Sequence, residues 1–401
     1  MIQTAKRIDN VEEYYFSRKL AEVRTLDTPE LSVINLGIGS PDLAPSADTI
    51  RALIQSAEVE SNHGYQSYKG IAPLRKAIAE QYERTYHVSL NPETEILPLM
   101  GSKEGIFHIS MAFVNEGEEV LIPDPGYPTY ASAAKLVGGK VRAYKMKESL
   151  NWGIDIQELS QQDLSKVKLM WVNFPHMPTG RVATSEELNE LVRLARENNF
   201  LIVNDNPYSL ILNDSPLSIL KSMGALDVAM ELNSLSKSHN MAGWRIGWVA
   251  GNSEHIDAVL KVKSNMDSGM FLSIQHAAVE ALKSDAQWRN ELNQVYKNRS
   301  RTAKLILDEL DCTYADGQSG LFVWAKVSEG VKNVELWIDT ILYGAKVFVT
   351  PGSVFGSQGN RFIRISLCAP ESKMKEALLR ITTWKQKIGS ENHQATKMSA
   401  V

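Results

Sequence analysis

Short apolar runs alternate with stretches of helical spacing through the middle of this chain. Residues 95–100, 119–123, 140–146, 168–174, 200–205, 227–233 and 245–250 read as strands, and helical patterns fall between several of them, notably over 103–115 and 185–198. Seven strands alternating with helices predict an α/β domain whose mostly parallel sheet is covered on both faces. Upstream, helical spacing covers 11–26, 46–58 and 71–87, with a short extended segment at 33–39. After about residue 253 the order changes to α+β. A long helical stretch over 273–310 precedes extended runs at 320–327, 346–352 and 361–367, with a helix near 333–343. This part is assigned to a smaller second domain. The polar, unpatterned tail 388–401 is expected to fray. The division read from this pattern is an arm over 1–45 packing with the small domain, a large domain over 46–285, and the small domain over 286–387.

Composition narrows the class only slightly. The chain has 401 residues, enough for two domains, and a net charge of −4 gives no attraction for nucleic acid or an anionic membrane. Two cysteines, Cys312 and Cys368, make no disulfide framework. No signal peptide is visible, and no apolar run approaches the ~18 residues that span a bilayer. A cytoplasmic protein is expected.

Chemistry enters where the strands end, because open parallel sheets bind ligands at their carboxyl ends. Ser234-Leu-Ser236-Lys237 sets one lysine between hydroxyl residues, eight positions before Arg245. Such a lysine suits Schiff-base formation, with the arginine nearby for a phosphate. Gly101-Ser102-Lys103 follows a strand and opens a helix, where backbone N–H groups and the helix dipole favour an anion. Strand 200–205 ends in Asp205, with Tyr208 three residues on. A carboxylate there could keep a pyridine nitrogen protonated, and the tyrosine could bond a phenolate oxygen. Tyr127, in Asp124-Pro-Gly-Tyr-Pro, could stack on the ring. Arg364 lies within an apolar strand, where a buried guanidinium needs an anion such as a substrate carboxylate. Gly37 and Gly39 would let backbone N–H groups approach the same carboxylate. No metal is called for.

These pieces, in order with NLGIGSPD, NFPHMPTG, NDNPY and PGSVFG, resemble the class I/II aminotransferases of the pyridoxal-phosphate (PLP) transferase fold type I. GSKEG is similar to the branch holding alanine and LL-diaminopimelate aminotransferases. The resemblance implies PLP as cofactor, a Lys237 aldimine, phosphate binding by Arg245, and ping-pong transfer between an L-amino acid and a 2-oxo acid. It also implies a homodimer in which Tyr65 crosses to the neighbouring subunit's phosphate. One departure stands out. The family reads N-P-T-G where this chain has Met177-Pro-Thr-Gly, and methionine cannot donate to the ring's phenolate oxygen. Asn173 is expected to compensate, or Tyr208 to act alone, and His176 is read as a solvated loop residue that could reach the ring. Lys103, Tyr14 and Tyr15 are candidates for side-chain specificity. A PLP-dependent carbon–sulfur lyase uses the same residues, and a non-catalytic regulatory protein on the same fold stays open. A nucleotide-dependent oxidoreductase lacks its GxGxxG turn.

Overall fold

The computed structural model describes residues 2–9, 11, 13, 15–28 and 31–398, so Tyr14 lies outside the described residues. All seven expected strands form. The sheet runs in the order Ile96–Leu99, Gly247–Gly251, Ala229–Ser234, Leu201–Asp205, Val167–Val172, Glu119–Asp124, Lys140–Lys147, Gly153–Ile154. The eighth strand was not expected, because two residues are too few to show a period. It pairs antiparallel with the Lys140–Lys147 strand, and Gly247–Gly251 is antiparallel to both its neighbours, while the remaining pairs are parallel.

Burial on both faces explains the apolar runs. Leu169, Trp171, Leu201, Val203, Met230 and Leu232 join one core with Ile106, Ile109, Ile256 and Val259 of the helices Ser102–Phe113 and Ser253–Lys263. The intervening Met170, Val172 and Ile202 join the opposite core, with Leu188 and Leu191 of helix Ser185–Asn198 and Ile78 of helix Ala72–Tyr86. Period-two alternation thus sends consecutive residues of one strand to two different apolar layers.

A four-stranded antiparallel sheet forms the second unit, in the order Thr313–Tyr314, Phe322–Lys326, Phe362–Ser366, Thr350–Pro351. Ile34–Asn35 pairs in parallel with Val347–Phe348, tying the early chain to this unit. The expected helix over 273–310 is two helices, Leu272–Leu282 and Ala286–Glu309. Asp285 interrupts them by accepting the Trp288 N–H as an N-cap. The last helix, Glu371–Met398, continues through most of the stretch expected to fray. Glu, Gln, Ala, Lys and Met there favour helix, and extending an existing helix costs far less than nucleating one.

Strand Ala229–Ser234 also buries Glu231 completely. Its Oε2 accepts from Asn204 Nδ2 and the Ile219 N–H at 3.1 and 3.2 Å. Burial pushes the carboxyl up to about 7, with Asn204 and Tyr82 pulling the other way. The folded protein therefore holds this proton more tightly than the unfolded chain. Stability from this group grows as pH falls from about 7 toward the ordinary glutamate range, and the ionised form costs stability above it. Glu231→Gln is expected to stabilise the fold by about 1–3 kcal/mol at pH 8. Thermal melts should show that gain shrinking toward zero by about pH 5.

Candidate active site

Five chain segments reach one edge of the large sheet. Gly101 follows the Ile96–Leu99 strand, Asp124 ends Glu119–Asp124, Asn173 follows Val167–Val172, Asp205 ends Leu201–Asp205, and Ser234 ends Ala229–Ser234. Between this edge and the small sheet lies a cavity of about 620 Å³. It is lined by Ser102, Lys103, Tyr127, Asn173, Asp205, Tyr208, Ser234, Ser236, Lys237, Arg245, Gly39 and Arg364. Gly37 and Gly101 are not on its wall but touch Arg364 and Arg245. Tyr65 stands apart from the cavity of its own chain and is 93% exposed.

At one end, Gly101 takes φ +91° as the N-cap of helix Ser102–Phe113. A Cβ there would come within 2.0 Å of Arg245 Nη2, so glycine alone lets the guanidinium press against the helix start. Arg245 Nη1 donates to the Ala242 carbonyl at 2.9 Å. Lys103 sits beside it, its pKa lowered by burial and by the Arg245 charge. Ser234 differs from the expectation. Its hydroxyl donates to the Ile246 carbonyl and accepts the Ser236 N–H, so it shapes the turn and offers its proton to no anion.

In the middle, Asp205 is buried and its Oδ2 accepts the Tyr130 hydroxyl at 2.8 Å, while Oδ1 has no hydrogen-bond partner among the described residues. Burial pushes this carboxyl up to about 6, against the pull of Tyr130 and Lys237. Tyr130 was not among the expected site residues, although it sits three residues after Tyr127 in the same motif. Its ring stacks on Trp171 with centroids 5.0 Å apart. Lys237 Nζ donates to the Gly39 carbonyl. Burial lowers the lysine's pKa, and the Arg364 and Arg245 charges lower it further, which favours the neutral, nucleophilic amine. Tyr208 is buried nearby, its ring edge-on to Phe322.

At the far end, Arg364 is buried on the Phe362–Ser366 strand. Nη2 donates to the Gly37 carbonyl at 2.7 Å and Nη1 to Met177 Sδ at 3.2 Å. The rings of Phe322, Phe355 and Phe16 surround the guanidinium at 3.9, 4.6 and 5.6 Å. Gly37 and Gly39 offer their carbonyls to the two side chains, and the N–H expected to serve a carboxylate at Gly37 is engaged elsewhere. The Gly37 and Ile38 N–H groups are both taken by Asn35 Oδ1.

The loop 173–180 corrects two more expectations. Asn173 donates to the Asp205 carbonyl and accepts the Met177 N–H at 2.8 Å, so its amide braces the loop. His176 is buried, not solvated. It bonds Thr179 Oγ1 and the Pro125 carbonyl, and burial lowers its pKa to about 3, keeping the ring neutral. Asp124 joins the DPGYP and PGSVFG motifs, since it lies against Gly356 and accepts from Ser357 Oγ and the Gln358 N–H at 2.6 and 3.0 Å. Likewise Arg299 binds Asp42 through two bonds of 2.6 and 2.9 Å and fixes the segment after Gly39.

Against known proteins, residues 32–381 match the family model described as aminotransferase class I and II. An LL-diaminopimelate aminotransferase from Dehalococcoides mccartyi is 37% identical over 96% of this chain and 99% of its own. Another from Aquifex aeolicus is 36% identical over 96% of this chain and its whole length. Among solved structures, substrate-bound BacF from Bacillus subtilis superposes with a TM-score of 0.90 at 32% identity, covering 96% of this chain and 98% of that one.

Proposed function

The chain belongs to the class I and II aminotransferases and transfers amino groups between amino and oxo acids; from that premise we propose that it does so with pyridoxal phosphate bound to Lys237. The observation that carries this reading is the partnerless buried Oδ1 of Asp205 in the same cavity as the depressed amine of Lys237. An unsatisfied buried carboxylate oxygen is costly, and a protonated ring nitrogen would satisfy it. The Gly101–Arg245 contact with the Ser102 helix start suits a phosphate, and the Tyr208 hydroxyl suits the ring's phenolate oxygen. Tyr127 is positioned to cover a ring face, edge-on to Tyr130. The similarity to aminotransferases favours amino-group transfer over carbon–sulfur elimination.

When bound, pyridoxal phosphate supplies an aldehyde that condenses with amines and a cationic ring that accepts the electron pair released at the substrate Cα. Arg364 binds the substrate carboxylate through the planar fork of its guanidinium N–H donors. Lys237, kept neutral by burial, is suited to take the Cα proton and return it to the former aldehyde carbon, two bonds away across the substrate nitrogen. Asp205, braced by Tyr130, holds the ring nitrogen's proton. Borohydride reduction of the holoenzyme followed by peptide mapping is expected to label Lys237. Lys237→Ala should lose the absorbance of the covalently held cofactor; a label on another amine would refute the assignment.

Ionised Asp205 is needed to hold that ring proton, so cofactor affinity should fall as pH drops through about 6. The Tyr130 hydroxyl lowers this pKa, hence Tyr130→Phe should move the midpoint up by about one pH unit, read from PLP titrations across pH.

A homodimer follows from the same reading. Tyr65 and its neighbour Tyr68 are exposed, as are Met266 and Phe271 on the adjoining segment. Arg75 holds that loop by donating to the Gly70 carbonyl at 2.9 Å and pairing with Glu93 at 2.6 Å. Exposed Tyr65, at the start of this loop, is thus available to a partner's phosphate. Sedimentation should return twice the chain mass. Tyr65→Phe should weaken PLP binding by about three- to tenfold without dissociating the dimer. The free, buried Cys312 and Cys368 suit a reducing cytoplasm, and no helix among the described residues is long and apolar enough to cross a membrane.

A further inference from the structure

The substrate end of the cavity is built from hydrocarbon. Phe16 and Leu20 come from the N-terminal helix Tyr15–Leu26, Ile38 from the glycine segment, Met177 from the 173–180 loop, and Phe322 and Phe355 from the small unit. Three of these are the rings around Arg364. A carboxylate seated on that guanidinium would therefore send its side chain out among phenyl and aliphatic groups.

The charges of the cavity are already placed. Among the described lining residues they are Lys103, Asp205, Lys237, Arg245 and Arg364. Lys103 stands by Arg245 at the phosphate end. Asp205 is the one carboxylate among them, and it lies on the floor under Tyr130. None of the charged groups of the N-terminal helix lines the cavity: Lys19 pairs with Asp339 and Glu22 at 2.6 and 3.0 Å, Glu22 also accepts the Tyr343 hydroxyl, and Arg18 lies with them on a separate surface pocket. At the mouth, exposed Glu13 accepts the Ser17 hydroxyl at 2.7 Å. Among the described lining residues of this chain, a distal ammonium and carboxylate, as on LL-diaminopimelate, would meet phenyl and aliphatic groups in place of the pair of partners that such a head group needs.

We propose that this site, on the reading given above, takes amino donors with an apolar side chain of leucine to phenylalanine size and discriminates against a second charged head group. It thus differs in donor from the diaminopimelate enzymes that it resembles in sequence. Leu20 is the position where a single change tests this, because it lines the cavity and is only partly buried.

The test uses the holoenzyme after borohydride mapping on a parallel sample. Single-turnover loss of cofactor absorbance should be at least about tenfold faster per unit concentration with L-phenylalanine and L-leucine than with LL-diaminopimelate. Calorimetry should find 3-phenylpropanoate, an unreactive carboxylate, binding at least about tenfold more tightly than pimelate. Leu20→Glu should lower the preference for L-leucine over L-lysine by about tenfold, a ratio that general loss of activity does not move. Diaminopimelate as fast as phenylalanine, pimelate bound as tightly as phenylpropanoate, or an unchanged ratio in Leu20→Glu would each overturn the proposal while leaving the Lys237 assignment intact. An unlabelled Lys237 would overturn that assignment, and the proposal with it.

Discussion

Two carbonyls of one short segment hold the amine of Lys237 and the guanidinium of Arg364. Gly37 O accepts from Arg364 and Gly39 O from Lys237. The segment Gly37-Ile38-Gly39 follows the Ile34–Asn35 strand, and the Asn35 side chain fixes it by accepting both the Gly37 and Ile38 N–H groups. Side chains are excluded at both positions, since a Cβ would come within 2.5 Å of Phe348 at Gly37 and 2.3 Å of Phe322 at Gly39. The segment is in turn fixed from outside. Leu36 bonds Phe348 and Ser366 through its backbone, and Asp42 is clamped by Arg299. Large sheet, small sheet and early chain therefore meet at one short glycine-bearing segment, and the position of the amine relative to the guanidinium follows from it.

Desolvation does the rest. It pushes Lys237 and Asp205 of the cavity, and His176 in the adjoining loop, toward their neutral forms: Lys237 down, Asp205 up to about 6, and His176 down to about 3. Different partners then restore charge selectively. Tyr130 donates to Asp205 and stabilises the carboxylate, whereas Lys237 donates to a neutral carbonyl and stays easily deprotonated. His176 is fixed between Thr179 and Pro125 and takes no part in the titration near neutral pH. One burial effect thus yields an amine that attacks and a carboxylate that holds a cation.

The sequence made legible whatever is carried by period or by motif. The central sheet strands showed as apolar runs because both faces are buried, as Trp171 and Val172 in opposite cores illustrate, whereas Lys140–Lys147 beside the short edge strand is largely exposed. Lys237, Asp205, Arg245 and Arg364 could be named because a charged side chain at a strand end or inside an apolar strand needs a counter-group, and each sits in a motif that supplies one. Hidden from the sequence was whatever depends on which way a group turns. Asn35 takes the N–H groups of Gly37 and Ile38, which removes the donor role read for Gly37. Asn173 spends its amide on the loop, and Ser234 spends its hydroxyl on Ile246. Glu231 looked like one more strand residue, since burial of a single carboxylate leaves no periodic trace. Asp285 ended a helix inside a pattern that was continuous in its apolar positions.

Met177 links the unusual features of the site. Where the family motif carries an amide, this chain sets a thioether against Arg364 Nη1. Sulfur is a weak acceptor and a polarisable, apolar body. It removes a donor from the ring side of the site and at the same moment adds hydrocarbon to the side that already holds Phe16, Phe322 and Phe355. Arginine tolerates such surroundings because its planar guanidinium stacks on aromatic faces and is more weakly hydrated than an ammonium. A carboxylate arriving there meets a cation held by a neutral carbonyl and a sulfur, in a wall that excludes water. On the proposed reading, the missing amide and the phenylalanine cage act together: both surround Arg364 with weakly polar groups and leave the space beyond it to an apolar side chain.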